Sequence, residues 1–203
     1  MSASPRIAPA TAPYLPEIGE RLTALMPPGL EPLLLFRVLA RDLRLFQRFM
    51  GGGLLDRGHL TLRQREIVID RVTARCGSEY EWGVHVAFFA RRAEFDEAQL
   101  RSLVRGSADD ACWTPADALL IRLCDALLAH CDIDDDLWGE LRSAFSEEAV
   151  LELLLLAGFY RTVSTLTPRR AAASPIRKSC ISKIPTKKAW LLRARFPDGA
   201  ARR

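Results

Sequence analysis

One stretch of the sequence, CGSEYEWGVH at residues 76–85, gathers most of the side-chain types that could do chemistry. On a helix, residues three or four positions apart share a face, so Ser78, Glu81 and His85 fall on one stripe. A carboxylate four residues before an imidazole can contact and orient the ring, as a general acid or base requires. The alternative interpretation is a surface pair worth about 0.2–0.5 kcal/mol.

Glu66 is a second acidic candidate, in the segment that precedes this stretch. It stands directly before the apolar run Ile67–Ile69, where a carboxylate is expected to be partly buried and to need a partner. His85 is one candidate for that partner. Positive charge is supplied nearby by three arginines, Arg65, Arg71 and Arg75.

The elements that must position these residues are all predicted to be helices. Apolar spacing and cap signals place them at 17–26, 31–50, 60–76, 78–92, 96–104, 114–131, 134–145 and 146–166. Ser78 with Glu81 has the pattern of a capping box, and Thr114 before Pro115 has that of a helix start. No strand alternation or hairpin turn is evident, so the predicted fold class is all-α.

Composition divides the chain into three predicted parts. Residues 1–14 are rich in Ala, Pro and Ser and are predicted to be disordered or draped over a neighbour; residues 15–167 form the helical domain. Residues 168–203 carry a net charge of +10, whereas the rest of the chain carries −6. We predict a disordered, solvated tail there rather than an arm for lipid or nucleic acid, because aromatic residues for stacking are nearly absent. The acidic body argues against nucleic acid as a partner.

The remaining composition predicts a cytoplasmic protein that has no membrane as a partner. No apolar run reaches the length of a membrane span, and the N-terminus lacks the pattern of a secretory signal. The five cysteines are odd in number and include no CxxC, so neither a disulfide framework nor a zinc knuckle is indicated. Cys124 and Cys131 are predicted to be small buried hydrophobes. The segment 148–166 is apolar on more than one face, which predicts burial against another subunit.

The segment LTLRQREIVIDRVTARCGSEYEWGVHVAFFARRA closely resembles the core of the carboxymuconolactone decarboxylase family, which shares a superfamily with the AhpD alkylhydroperoxidases. The later FYRTVSTLT resembles the end of the domain in that family, so the resemblance covers about residues 30–167. It implies an AhpD-like bundle of antiparallel helices. It also implies homo-oligomers, trimers or hexamers, with sites near subunit contacts.

The AhpD branch has a Glu, then a Cys-x-x-Cys twelve residues on, then a His four residues after the second Cys. By that spacing the resemblance assigns the Glu to Glu66 and the His to His85, while the thiol positions fall on Ser78 and Glu81. Cys76 lies two residues early and has no resolving partner in the motif. Because a dithiol peroxidase needs one thiolate to attack and another to resolve, AhpD-like peroxidase activity is disfavoured.

The resemblance then implies a decarboxylase-like enzyme that uses no metal and no organic cofactor. Its predicted substrate is a small carboxylated lactone or related ring compound, with His85 as general acid/base assisted by Glu66 and Glu81. The residues predicted to bind the substrate are Ser78, Tyr80, Trp82 and Arg65. Two alternatives stay open: an antioxidant protein that depends on Cys76, and a non-catalytic oligomeric module, with or without a metal bound by Glu66, Glu81 and His85.

Two features depart from the family pattern. The family usually ends a helix with Gly around Ala93–Phe95, and this chain has none there. The family also continues past the last helix with an ordered segment, where this chain has its basic tail.

Overall fold

The computed structural model describes residues 7–26 and 29–167. Every regular element in those residues is a helix and none is a strand, which confirms the predicted all-α class. The described residues fall into two compact units, residues 7–51 and residues 52–167. The predictions made for residues 1–6 and 168–203 lie outside the described residues.

The first unit holds three short helices: α1 (Pro16–Leu25), α2 (Leu34–Leu39) and α3 (Leu43–Gly51). The prediction of one helix over 31–50 is wrong, because the chain turns between α2 and α3. Asp42 causes the break: its Oδ1 accepts the backbone N–H of Leu45 at 2.8 Å, the bond of a helix-capping side chain. Ahead of α1, Ala10 exchanges two hydrogen bonds with Arg37, whose backbone carbonyl and Nε lie 2.9 and 3.1 Å away.

The second unit holds six helices, and α4 lies at its centre. Their bounds are α4 (Leu62–Arg75), α5 (Glu79–Phe89), α6 (Glu97–Arg105), α7 (Pro115–His130), α8 (Asp135–Ala144) and α9 (Glu147–Leu166). Helix α4 packs against α5, α6, α7 and α9, so residues 65–73 are all buried. A helix covered on every side must also bury its polar residues, and these are the residues of the candidate site.

Side-chain caps fix where these helices start. In each case an oxygen accepts the backbone N–H of the residue three positions on, which is worth about 1 kcal/mol per cap. The capping residues are Thr61, Asp96, Thr114, Asp134 and Ser146. The cap predicted at Thr114 is confirmed.

The turn between α4 and α5 is built on Gly77, whose φ of 71° lies in the left-handed region. The backbone N–H of Ser78 donates to the carbonyl of Thr73 at 2.9 Å and closes this turn. Ser78 takes the N-cap position, but the predicted capping box with Glu81 is wrong. The Ser78 hydroxyl instead lies 2.9 Å from that of Thr167, at the end of α9, and Glu81 is buried.

A buried arginine joins α4 to two of its neighbours. Arg71 is 1% exposed, and its Nη1 donates to the carbonyls of Ser102, Leu103 and Gly106 at the end of α6. Its Nε and Nη2 bind Asp125 on α7 at 2.8 and 2.6 Å. The guanidinium therefore donates to carbonyls at the C-terminal end of α6, where the helical hydrogen-bond ladder ends.

Two residues other than glycine adopt left-handed backbone conformations in the described part of the chain. Glu94, with φ of 56°, ends the turn after α5 and lies among residues 93–95, where the resemblance led us to expect Gly. Cys131, with φ of 58°, is the C-cap of α7 and is exposed. The prediction that Cys131 is a buried hydrophobe is therefore wrong, whereas Cys124 is fully buried.

Helix α9 is the one described helix long and apolar enough to cross a membrane by length and composition. A helix in the core of a protein can have the same length and composition. In the most apolar part of α9, 44% of the residues are buried. On its outer side Leu151 and Leu155 are 58% and 56% exposed. The homo-oligomer stays a prediction.

Candidate functional site

The central contact of the candidate site joins α4 to α5. Glu66 Oε2 lies 2.8 Å from His85 Nδ1, and the two residues are 0% and 4% exposed. The Gly77 turn brings α5 back against α4, so residues 19 apart in sequence meet inside the unit. A carboxylate in this position orients the imidazole and supports a proton on Nδ1.

Arg65 holds the other oxygen of Glu66. Its Nε lies 3.3 Å from Glu66 Oε1, and its Nη1 donates to the carbonyl of Leu55 at 3.0 Å. Arg71 and Arg75 instead pair with Asp125, at 2.6 and 3.6 Å. Of the three arginines considered from the sequence, Arg65 is the one in contact with the Glu66–His85 pair.

Tyr160 completes the chain of contacts, and it was not predicted from the sequence. Its hydroxyl lies 3.0 Å from His85 Nε2, and the two rings meet edge to face with centroids 5.0 Å apart. Burial, and after it the negative charges of Glu66 and Glu81, raise the pKa of Tyr160 well above its ordinary value. The phenol therefore keeps its proton at any ordinary pH.

Glu81 is buried beside this chain of contacts, with 4% of its surface exposed. Its Oε1 has no hydrogen-bond partner, and burial raises its pKa from 4.5 to about 8. No hydrogen bond joins Glu81 to His85 in the part of the chain that the structure describes. The acid that reaches the ring is Glu66 from the neighbouring helix, rather than the residue four positions away on the same helix.

Asp70 is a second buried acid that was not predicted. It follows Glu66 by one turn of α4, is 1% exposed, and has no hydrogen-bond partner on either carboxylate oxygen. Burial, and after it the charge of Glu66, raise the pKa of Asp70 well above its usual range. Burial therefore favours the protonated, neutral form of this carboxyl.

The other residues predicted to bind a substrate lie on or beside α5. Ser78 and Tyr80 are buried, at 1% and 9% exposure. Trp82 is half-buried, and its indole Nε1 is enclosed without a hydrogen-bond partner. Cys76 is a partly exposed free thiol at the C-cap of α4.

Within the described residues, no group of three or more His, Cys, Asp or Glu side chains has an arrangement that could hold a metal ion. Among the described residues, one surface groove lies beside α6 and another between α7, α8 and α9. Neither is lined by Glu66, Glu81, His85 or Tyr160. These four residues are each at most 4% exposed, so in the single chain the candidate site is a buried cluster.

The polar residues of α4 and α5 lie in a segment that matches a known protein family. Residues 43–122 match the model of the carboxymuconolactone decarboxylase family, so the chain is similar to that family over this segment. The matched segment contains Glu66, Ser78, Glu81 and His85 and ends before α9, so Tyr160 lies outside it. No curated protein and no solved structure matches the chain. The family match supports a function of the carboxymuconolactone decarboxylase or AhpD kind in general terms.

Proposed function

We propose that this chain is a cofactor-free lyase that acts on a small carboxylated lactone or a related ring compound. In this proposal His85 is the general acid and base, assisted by Glu66 and Glu81. The observation that carries it is the buried hydrogen bond of 2.8 Å between His85 and Glu66. An imidazole held by a carboxylate away from water is suited to controlled proton transfer.

The proposed reaction needs a proton at one carbon atom of the substrate. When the bond between the ring carbon and the carboxylate breaks, CO2 leaves and the electron pair stays on the ring as an enolate. The imidazole takes a proton from water, donates that proton from a ring nitrogen to the carbon, and so returns to its neutral form. The Glu66 carboxylate supports the charge of the imidazole while it carries the extra proton.

Glu81 suits the role of a second proton-holding group. Because its pKa is raised to about 8, it is protonated near pH 7 and can still release a proton there. Arg65 keeps a positive charge beside Glu66. Since His85 is only 4% exposed, substrate binding must open a path to the ring.

Oxygen atoms, rather than thiols, occupy the positions that correspond to the paired cysteines of the AhpD branch. Ser78 is buried and bonded to Thr167, and Glu81 is a buried carboxyl. Neither can form or resolve a sulfenic acid. A lyase that depends on acid and base groups is therefore the better proposal than a thiol peroxidase.

The test is an assay of purified protein on a set of carboxylated unsaturated lactones, with release of CO2 as the readout. We expect His85→Ala to lose about 100-fold or more of the rate, as is usual when a general acid or base is removed. His130→Ala is the matched control, because His130 is exposed at the end of α7. Equal rates for wild type and His85→Ala, or no release of CO2 by either, would contradict the proposal.

A further inference from the structure

Both nitrogens of the His85 ring are already engaged in the resting chain. Nδ1 lies 2.8 Å from Glu66 Oε2, and Nε2 lies 3.0 Å from the hydroxyl of Tyr160. An imidazole has only these two atoms with which to give or take a proton. Whatever molecule exchanges a proton with the ring must therefore do so at an atom that already has a partner.

The chemistry of the partners decides which atom carries hydrogen. An ionised Glu66, with Arg65 on its other oxygen, can only accept hydrogen bonds, so Nδ1 must carry a proton and donate it. In the neutral ring Nε2 is then the acceptor, and the hydroxyl of Tyr160 is the donor. The raised pKa of the Tyr160 hydroxyl agrees with this assignment, because the group keeps the proton that it donates.

We propose that Tyr160 is a positioning residue, which holds His85 in the neutral Nδ1–H form with Nε2 as its proton-accepting atom. A substrate that reacts with the ring takes the place of the Tyr160 hydroxyl at Nε2. The part that concerns turnover rests on the proposed function, whereas the protonation pattern of the ring does not. Tyr160 thus extends the site onto α9, beyond the segment that matches the family.

Nitrogen NMR of the histidine side chains tests the protonation pattern without any substrate. The sequence has three histidines, so His85 is assigned by comparison with His85→Ala. At neutral pH we expect a Nδ1 signal typical of a protonated ring nitrogen and a Nε2 signal typical of an unprotonated one. In Tyr160→Phe the Nε2 signal should move to the position of an unprotonated ring nitrogen that accepts no hydrogen bond. A protonated Nε2 in the wild type would overturn the proposal, even if the variant failed to fold.

Turnover supplies the second readout. We expect Tyr160→Phe to lower kcat about 10- to 100-fold with little change in KM, because a ring that is poorly positioned loses part of its acid and base contribution. Tyr14→Phe is the control, because Tyr14 lies in the other compact unit. Wild-type kcat and an unchanged Nε2 signal in Tyr160→Phe would remove this inference, even if His85→Ala were inactive. If His85→Ala kept full activity, the proposed function would fail, and the NMR result alone would decide the role of Tyr160.

Discussion

The raised pKa of Glu81 makes a specific prediction about stability and pH. In the unfolded chain this carboxyl has its ordinary pKa of 4.5, and in the folded chain burial raises the value to about 8. At any pH between the two values the folded chain therefore holds more protons than the unfolded chain. Folding stability must then fall as the pH rises through this window.

The size of the effect follows from the two pKa values. Their difference of about 3.5 pH units corresponds to about 5 kcal/mol, since one unit is worth about 1.4 kcal/mol. The penalty is absent below about pH 4.5, grows by at most about 1.4 kcal/mol per pH unit, and is complete above about pH 8. Reorganisation around the charged carboxylate will reduce the full figure, so we expect a loss of about 3 to 5 kcal/mol.

The perturbation is Glu81→Gln, which keeps the shape of the protonated acid and cannot ionise. The absolute stability of this variant also includes the cost of burying an amide, so the pH dependence is the quantity to compare. Urea unfolding of wild type and variant between about pH 5 and about pH 8.5 gives the free energy of unfolding at each pH. We expect the free energy of the variant, relative to that of wild type, to rise by about 2 to 4 kcal/mol over that range.

Glu79→Gln is the matched control for this prediction. This substitution makes the same chemical change on the same helix, but Glu79 is exposed. The free energy of unfolding of Glu79→Gln, plotted against pH, should therefore run parallel to that of the wild type. Asp70 contributes the same pH dependence to the wild type and to both variants, so its effect cancels in the comparison. Parallel curves for wild type and Glu81→Gln would refute the reasoning, because they would mean that Glu81 is ionised in the folded chain near its ordinary pKa.

Two further predictions concern the packing of the second unit. Arg71→Ala should lower the free energy of unfolding by about 3 to 5 kcal/mol in chemical denaturation, because Asp125 loses its closer partner and three carbonyls at the end of α6 lose the arginine that they share. Arg101→Ala, which removes an exposed pair, should cost less than about 1 kcal/mol, and equal losses would contradict the structural role of Arg71. Glu94→Gly should raise the melting temperature through a net gain of about 0.5–1 kcal/mol, because relief of the left-handed strain exceeds the added entropy of the unfolded chain. Glu94→Ala keeps the Cβ, so a similar gain there would show that strain is not the cause.

Local signals in the sequence were sufficient for much of the fold. Apolar spacing predicted the all-α class, and the signal at Thr114 predicted a cap that the structure contains. The single helix predicted over 31–50 failed for a local reason as well. Its apolar spacing continues through the break, but the Asp42 side chain offers the backbone N–H of Leu45 a partner outside the helical ladder.

The candidate site was predictable only where its residues are close along the chain. Glu66 and His85 lie on consecutive helices joined by a short turn, so a pairing between them could be considered from sequence. The contact between Glu81 and His85 was inferred from helical spacing alone. Spacing places two side chains on one face, but packing decides which way each turns, and here Glu81 lies in the interior without a bond to the ring.

Only the tertiary structure brought the distant residues together. Tyr160 is 75 positions from His85 along the chain, and nothing in the local sequence of α9 pairs it with that histidine. Asp70 looked like an ordinary residue of α4 until packing on every side of that helix enclosed it. The sequence by itself determined the helices and the residue types that could move protons. The packing of α9 and α5 against α4 decided which of those residues meet, because contacts between helices depend on side chains that are far apart along the chain.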